Sequence, residues 1–236
     1  MNYFARSVTG VVALAATFGF LCVSNAQTKE SDAMRRLALS STVLSEVMGA
    51  PDKGIPDEML QHAHCVVVVP GMKKGAFFIS GQYGKGFITC RKNGNKMDWS
   101  APAAIRIEGG GIGFQFGGSE TDLVMLVMNA RGVDRLMSSK FTLGADGEVA
   151  AGPVGRQASA QTDAKMTAEI LSWSRSRGVF AGIALKGATL RADEGDNAEL
   201  YGQKMTTKEV ISSTMATPAS GTPLIALLSK YSPLEK

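Results

Sequence analysis

Histidine is scarce in this 236-residue sequence, and its scarcity excludes several kinds of site. His62 and His64 are the only two histidines. Residues two apart do not share a helix face, and no third histidine exists to complete a zinc set. Two histidines so close together also give little support for a Ser/His/Asp catalytic triad, and the Gly-x-Ser-x-Gly motif of serine hydrolases does not occur. We therefore expect no metal, no cofactor and no catalytic residue.

Long apolar runs are missing after the amino terminus. There, Arg6 precedes an apolar stretch from Val11 to Val23, and residues 24–26 are the small residues that signal peptidase recognises. We expect a signal peptide over residues 1–26, cleaved after Ala26; the alternative is a buried first helix. Beyond it, no run approaches the ~20 apolar residues of a membrane-spanning helix. The expectation is an exported protein of the periplasm or outer cell envelope, peripheral to a membrane.

A strong charge excess is missing as well. The formal net charge is +4, and removal of the leader takes away one basic residue, Arg6. An excess this small does not predict a nucleic-acid partner. Hydrophobic residues make up 44% of the chain and charged residues 19%, which is the composition of a folded domain.

Glycine is abundant, with 27 residues where the usual ~7% would give far fewer. Six of them lie in residues 109–118. The spacing does not match the dinucleotide motif Gly-x-Gly-x-x-Gly, because Phe114 and Phe116 stand where glycine is needed. We interpret the segment as a bulged, tightly packed strand that neighbouring backbone approaches closely.

Helical spacing follows residue 30. Ser31 or Asp32 can cap a helix that ends at Gly49. Its stripe has intervals of three and four and comprises Met34, Leu37, Ser41, Leu44 and Met48. The four apolar members could insert into a membrane interface, or they could pack on a sheet. Pro56, followed by two acidic residues, marks a second short helix through about His64.

From Cys65 the pattern changes to short segments typical of β-strands. Glycine or turn residues separate them, as expected for an antiparallel meander. The predicted segments are 65–69, 76–82, 87–91, 103–108, 112–116 and 123–128, then 140–143, 148–152, 167–174 and 179–190. Asn93-Gly94 predicts a hairpin turn, and Asn129 predicts a helix cap. Three short helices are predicted in the tail, over 197–201, 207–212 and 224–231.

Cys65 and Cys90 remain after removal of the leader. An exported protein meets an oxidising compartment, and neighbouring strands of a meander could bring the two residues within bridging distance. We predict a disulfide between them; two buried thiols are the alternative.

Several basic residues stand beside glycine, where backbone N–H groups and a cation can bind an anion together. The candidates are Lys73 and Lys74, placed between strands, Arg156, and Arg175 and Arg177 of a predicted turn. If they share a face with Arg35 and Arg36, the patch would attract anionic lipid by ~1 kcal/mol per charge. Scattered solubilising charges are the alternative.

The sequence resembles the SYLF domain family in several segments that occur in family order. These are residues 99–103, the glycine-rich 109–118 with Thr121-Asp122-Leu123-Val124, residues 140–144, 152–156 and 174–182 with Gly187, and finally Asn197 and Tyr201-Gly202. The resemblance covers about residues 31–211. It identifies residues 27–236 as a single SYLF-like domain with a C-terminal helical tail.

The resemblance implies a lipid-binding module that is not an enzyme. Relatives bind phosphoinositides through a basic amphipathic N-terminal helix, whose basic positions Arg35 and Arg36 occupy here, and fungal relatives bind actin. The fold implied is α+β: a strongly bent, barrel-like antiparallel sheet with N-terminal helices and short C-terminal helices. We expect peripheral binding of an anionic phospholipid membrane through acidic headgroups. The alternative is a structural or protein-interaction role in the cell envelope, with a protein partner.

Overall fold

The computed structural model describes residues 30–50, 54–77, 79–92, 95–112, 117–138, 141–143, 149–152, 168–176, 179–182 and 187–233. Six α-helices are described within these ranges. They are α1 (Asp32–Met48), α2 (Asp57–His62), α3 (Ala130–Leu136), α4 (Glu194–Tyr201), α5 (Thr207–Ser212) and α6 (Thr222–Tyr231), the last preceded by a 3-10 turn at Ala219–Gly221.

Ten strands of the described residues form one sheet. They are β1 (Cys65–Phe77), β2 (Ile79–Lys92), β3 (Asn95–Trp99), β4 (Ala103–Ile112), β5 (Gly117–Val127), β6 (Phe141–Leu143), β7 (Val149–Ala151), β8 (Ile170–Ser176), β9 (Val179–Gly182) and β10 (Ala188–Ala192). The order is β6-β10-β4-β2-β1-β5-β8-β7, with β3 on β2 and β9 on β8. Only the β7–β8 pair is parallel among these strands. The sheet curls into a half-barrel, which confirms the predicted fold class.

Both faces of the sheet are covered, as β1 shows. Val67 and Val69 belong to the cluster that α3 and α5 complete, whereas Val66 and Val68 belong to the cluster that α1, α2 and α6 complete. Because side chains alternate along a strand, the continuous valine run indicates a strand with two buried faces. The cover on the second face includes α1, which therefore lies against the sheet.

Helix α1 has the predicted ends. The Ser31 side chain accepts a hydrogen bond from the Met34 N–H, and Gly49 is the C-cap. The membrane-insertion interpretation is wrong for Leu37 and Leu44, because both side chains are fully buried in the core. Packing on the sheet, the alternative considered above, is what the structure shows. Met34 and Met48 are half-buried.

The predicted disulfide between Cys65 and Cys90 is present. The two residues face each other directly in the antiparallel β1–β2 ladder, with their Cα atoms 4.0 Å apart. Both are buried in the core. The bridge therefore joins the two central strands of the sheet at the end that carries most of the core.

Two glycines are fixed by packing. A Cβ at Gly86 would lie 2.2 Å from the Val68 carbonyl oxygen, and one at Gly152 would lie 2.0 Å from the Trp173 ring. Neither position has room for a side chain, so a larger residue would push the strands apart. We predicted that neighbouring backbone closely approaches the 109–118 segment; at Gly109, a Cβ would lie 3.0 Å from the Cα of Ala188 in β10.

The strands are longer than predicted. Lys73 and Lys74 lie within β1 and not between strands, and Arg175 lies within β8 and not in a turn. Residues 109–111 continue β4 beyond the predicted segment 103–108, in keeping with the interpretation of 109–118 as a strand. The predicted strand 76–82 contains the end of β1 and the start of β2. Residues 113–116, at the end of the predicted strand 112–116, lie outside the described residues.

Candidate functional site

A groove of about 500 Å³ separates α1 from the sheet. Arg35, Arg36 and Leu39 line its helix side. Its sheet side includes residues 70–71 of β1 and Arg175 of β8. The groove thus gathers three of the basic residues that the sequence singled out, from positions far apart in the chain.

A bulge in β1 shapes the groove. The register of β1 against β5 shifts between Val69 and Met72, and Gly71 adopts a positive φ of 58°. The Gly71 N–H donates to Asp122 Oδ1 at 2.9 Å. A Cβ at Gly71 would lie 2.6 Å from the Glu120 carboxylate, so glycine is favoured both by its backbone conformation and by space.

Asp122 links the bulge to Arg175. Its Oδ2 accepts from Arg175 Nε at 2.8 Å and from Nη2 at 2.5 Å. The same guanidinium pairs with Glu46 of α1. Burial lowers the pKa of Arg175, but the carboxylates of Asp122 and Glu46 raise it by more, and the net shift is upward. Glu120 and Asp122 both lie in β5, and Asp122 is ion-paired.

Each arginine of the groove has a carboxylate partner within the protein. Arg35 pairs with Asp32 of its own helix, and Arg36 pairs with Asp196 of α4. Four carboxylates line the groove beside the three arginines: Asp32, Glu46, Glu120 and Asp122. The positive charges in the groove are therefore balanced by carboxylates. An external anion would have to displace one of these carboxylates from its arginine.

Lys85 is the centre of a second polar cluster. Its Nζ lies 2.8 Å from Asp193 Oδ2 and 2.7 Å from Asp196 Oδ1. Burial lowers the pKa of Lys85, but hydrogen bonds and attraction from both carboxylates raise it overall. Only 4% of Asp193 is exposed, so this cluster lies largely away from solvent.

Asn197 and Tyr201 belong to the last of the segments that resemble the family. Their side chains attach α4 to the sheet. Asn197 Oδ1 accepts from the Ala104 N–H at 2.7 Å, and its Nδ2 donates to the Met205 carbonyl at 2.7 Å. The Tyr201 hydroxyl donates to the Pro102 carbonyl, and burial raises the pKa of Tyr201. The three- and four-residue spacing of Asp193, Asp196 and Asn197 was a usable signal that these residues share one face.

Lys73 and Lys74 directly follow the buried residue Met72 in β1. Lys73 is exposed and faces Tyr83 of β2 and Glu120 of β5 in the ladder. Within the described part of the chain, neither lysine has an ion-pair partner. Arg156 and Arg177, the remaining candidates, lie outside the described residues.

Two other properties of the described residues concern ligands and membranes. No group of three or more metal-ligating side chains is found among them. None of the helices that the structure describes is long and apolar enough to cross a membrane.

The fold defines a class: an α+β domain whose half-barrel sheet is covered by helices, with polar clusters that tie those helices to the strands. The family model described as Las17-binding protein actin regulator, Ysc84, matches residues 108–231. The chain belongs to this Ysc84, or SYLF, family. The resemblance stated from the sequence is confirmed, and the family is one of binding and regulatory proteins.

The similar proteins are eukaryotic. Protein YSC84 of Saccharomyces cerevisiae is 34% identical over 189 residues, which are 78% of this chain and 39% of that protein. SH3 domain-containing YSC84-like protein 1 of Xenopus laevis is 34% identical over 181 residues, 76% of this chain and 52% of that protein. LAS seventeen-binding protein 3 of Saccharomyces cerevisiae is also 34% identical, over 78% of this chain and 40% of its own length. The chain spans about half the length of these curated relatives, or less.

Proposed function

We propose that this chain is a non-enzymatic module that binds acidic phospholipid surfaces peripherally. The observation that carries the proposal is the contrast between its basic residues. Arg35, Arg36 and Arg175 are engaged in ion pairs within the protein, whereas Lys73 and Lys74 have no such partner among the described residues. Two cations that form no ion pair among the described residues are available to lipid phosphates.

The membrane we propose is that of the cell envelope, because the predicted leader over residues 1–26 would deliver the chain there. At ~1 kcal/mol per lysine near an anionic surface, the pair contributes about 2 kcal/mol, or roughly a thirtyfold difference in affinity. Attraction of this kind weakens with salt, because the Debye length falls from ~10 Å at 0.1 M to ~3 Å at 1 M.

The test is co-sedimentation of the protein, without residues 1–26, with vesicles. Neutral phosphatidylcholine vesicles are compared with vesicles that also contain phosphatidylglycerol, across a salt series. We expect binding to the acidic vesicles alone, and a loss of at least about tenfold in Lys73→Gln/Lys74→Gln. Lys204→Gln/Lys208→Gln, which removes the same charge from exposed positions in and before α5, is the matched control. Equal binding by both variants would contradict the proposal.

A second candidate is binding of a protein, because the family model is described as an actin regulator and relatives are named for binding Las17. The groove under α1, with Leu39 54% exposed, would be the contact. Co-sedimentation with actin filaments at physiological salt tests it, with Leu39→Glu as the disrupting variant. Failure of the wild type to sediment with filaments would rule out actin.

A further inference from the structure

A row of positive charges crosses three neighbouring strands on the face of the sheet where α1 lies. Arg191 of β10 is directly opposite Arg106 of β4, and Arg106 is directly opposite Lys85 of β2. The preceding residues, Leu190 and Ile105, are buried in the cluster on the other face, so both arginines project to the α1 side. Like charges directly opposite one another in a sheet are destabilising. The row therefore needs negative charge to balance it.

The protein balances this row incompletely. Nζ of Lys85 lies between the Asp193 and Asp196 carboxylates. Four cations of the network meet three carboxylates. The cations are Arg36, Lys85, Arg106 and Arg191, and the carboxylates are Asp193, Asp196 and Glu108. Arg191 is the cation that forms no ion pair among the described residues. The network thus keeps one positive charge in excess.

The two arginines also lack hydrogen bonds. Nε of Arg106 lies 2.8 Å from Glu108 Oε1, but at an angle that makes no hydrogen bond. Nε of Arg191 is enclosed and has no acceptor among the described residues. By contrast, Arg91 Nε donates to the Ala63 carbonyl at 3.0 Å. A guanidinium carries five N–H donors, and a buried donor without an acceptor costs free energy. Both arginines are half-buried, so an acceptor from outside the chain could reach them.

A phosphate group is the oxyanion that fits two guanidinium groups on adjacent strands. Their Cβ atoms are ~4.5–5.5 Å apart, as in any directly opposed pair. A carboxylate has two oxygens, which a single guanidinium fills in a bidentate pair, whereas the oxygens of a phosphate point in several directions and can accept from two guanidinium groups at once. The single excess positive charge also matches a monoanionic phosphate.

We propose that Arg106 and Arg191 form a phosphate-binding site on β4 and β10, with both guanidinium groups donating to the oxygens of one phosphate group. Free phosphate and the headgroup phosphate of a phospholipid offer the same oxygens, so the shared ligand is the phosphate group. The site goes beyond the lipid binding proposed above, which rests on Lys73 and Lys74 of β1. Either proposal can fail while the other stands.

The experiment is titration calorimetry of inorganic phosphate into the protein without residues 1–26, at ionic strength fixed with sodium chloride. We expect the wild type to bind one phosphate per chain, and Arg191→Gln to bind at least about tenfold more weakly, as for loss of a charged hydrogen-bonding group. Arg131→Gln removes the same charge from a side chain that is 81% exposed and should bind normally. Equal affinity of wild type and Arg191→Gln, or no binding by the wild type, would overturn the site. Equal binding of sodium acetate would overturn phosphate as its ligand.

Thermal unfolding separates a ligand site from a structural arginine. Without phosphate, Arg191→Gln should unfold at the temperature of the wild type or above it, because the change removes a like charge opposite Arg106. With phosphate, the wild type should gain more stability than the variant, because a ligand that binds the folded chain stabilises it. A variant that unfolds well below the wild type without phosphate would show that Arg191 supports the fold, and the proposal would be wrong.

Vesicles of phosphatidylcholine and phosphatidylglycerol identify the source of the phosphate. If lipid headgroups occupy the site, Arg191→Gln should bind the vesicles more weakly than the wild type, and inorganic phosphate should compete with them. If free phosphate occupies it, both proteins should bind the vesicles equally. Each result supports the site once calorimetry has shown phosphate binding. Phosphate binding by a wild type that ignores vesicles would refute the lipid proposal alone.

Discussion

Lys85 and Asp193 form an ion pair in which only 6% of the acidic side chain is exposed. Burial raises the pKa of Asp193, but the Lys85 ammonium, the Asp196 N–H and the charge of Arg106 lower it by more, and the net shift is downward. A carboxylate with a lower pKa in the folded chain stabilises the fold above its unfolded pKa, ~3.9, and loses that contribution as the pH falls through the folded value.

Asp193→Asn removes this charge and retains the cap of α4, because asparagine is an equally good N-cap. We expect the variant to lose about 2 kcal/mol of unfolding free energy at pH 7, since it leaves the Lys85 ammonium with Asp196 as its remaining carboxylate partner. The difference from the wild type should shrink below about pH 4. Urea unfolding at several pH values measures it, with the exposed neighbour change Glu194→Gln as control. A difference that stays constant down to the acid end would refute the assignment.

Helix α1 is the element whose role changed most between sequence and structure. The sequence predicted both of its ends and its stripe, but a stripe alone does not say whether a sheet or a membrane covers it. The structure shows α1 packed against α6, β1 and α4. Leu37 and Leu44 belong to the core, and Leu39 is the exposed apolar residue of the helix.

Leu44→Ala should therefore destabilise the fold by about 2–5 kcal/mol, as expected for a fully buried leucine. Leu39→Ala should change the unfolding free energy by less than about 0.5 kcal/mol. Chemical denaturation of both variants gives the comparison, and folded Leu44→Ala should still bind vesicles like the wild type. The reverse order of stabilities would show that α1 is held differently from the packing described here.

The sequence predicted the helices better than the strands, and the reason is local. Caps such as Ser31 and Asn129 act on residues three positions away, so a short pattern contains the whole signal. Lys73 and Lys74 were predicted to lie between strands and Arg175 in a turn, yet the lysines continue β1 and Arg175 lies within β8. Where a strand extends beyond the core, its side chains need not alternate between apolar and polar residues. The sequence pattern then does not indicate the residue at which the strand ends.

At the scale of the whole molecule, the polar clusters could not be predicted because their partners are distant in the chain. Arg36 and Asp196 are 160 residues apart, and Arg175 and Glu46 are 129 residues apart. A basic residue with glycine neighbours predicts a cation that can bind an anionic ligand. Whether it can do so depends on whether a carboxylate from a distant part of the chain already pairs with it. Lys73 and Lys74 differ from the three arginines in forming no ion pair among the described residues, and sequence patterns do not record this difference.

The C-terminal helix α6, which lies in the helical tail predicted after residue 211, packs into the core. Leu224 and Leu228 are buried in the same cluster as Leu44 of α1, and the family model extends to residue 231. This part of the core closes the face of the sheet on which α1 lies. Loss of α6 would therefore expose α1 as well as remove its own contacts.

A chain ended at residue 213 should consequently unfold at much lower temperature or aggregate. Two buried leucines contribute about 3–6 kcal/mol together, which is a large share of the 5–15 kcal/mol typical of a domain. Leu228→Ala in the full chain should lose about 2–5 kcal/mol, and the exposed change Ala226→Ser should lose little. Thermal unfolding followed by circular dichroism compares the three. A truncated chain as stable as the full one would show that α6 is an accessory tail, and the two leucines would then need another reason for their burial.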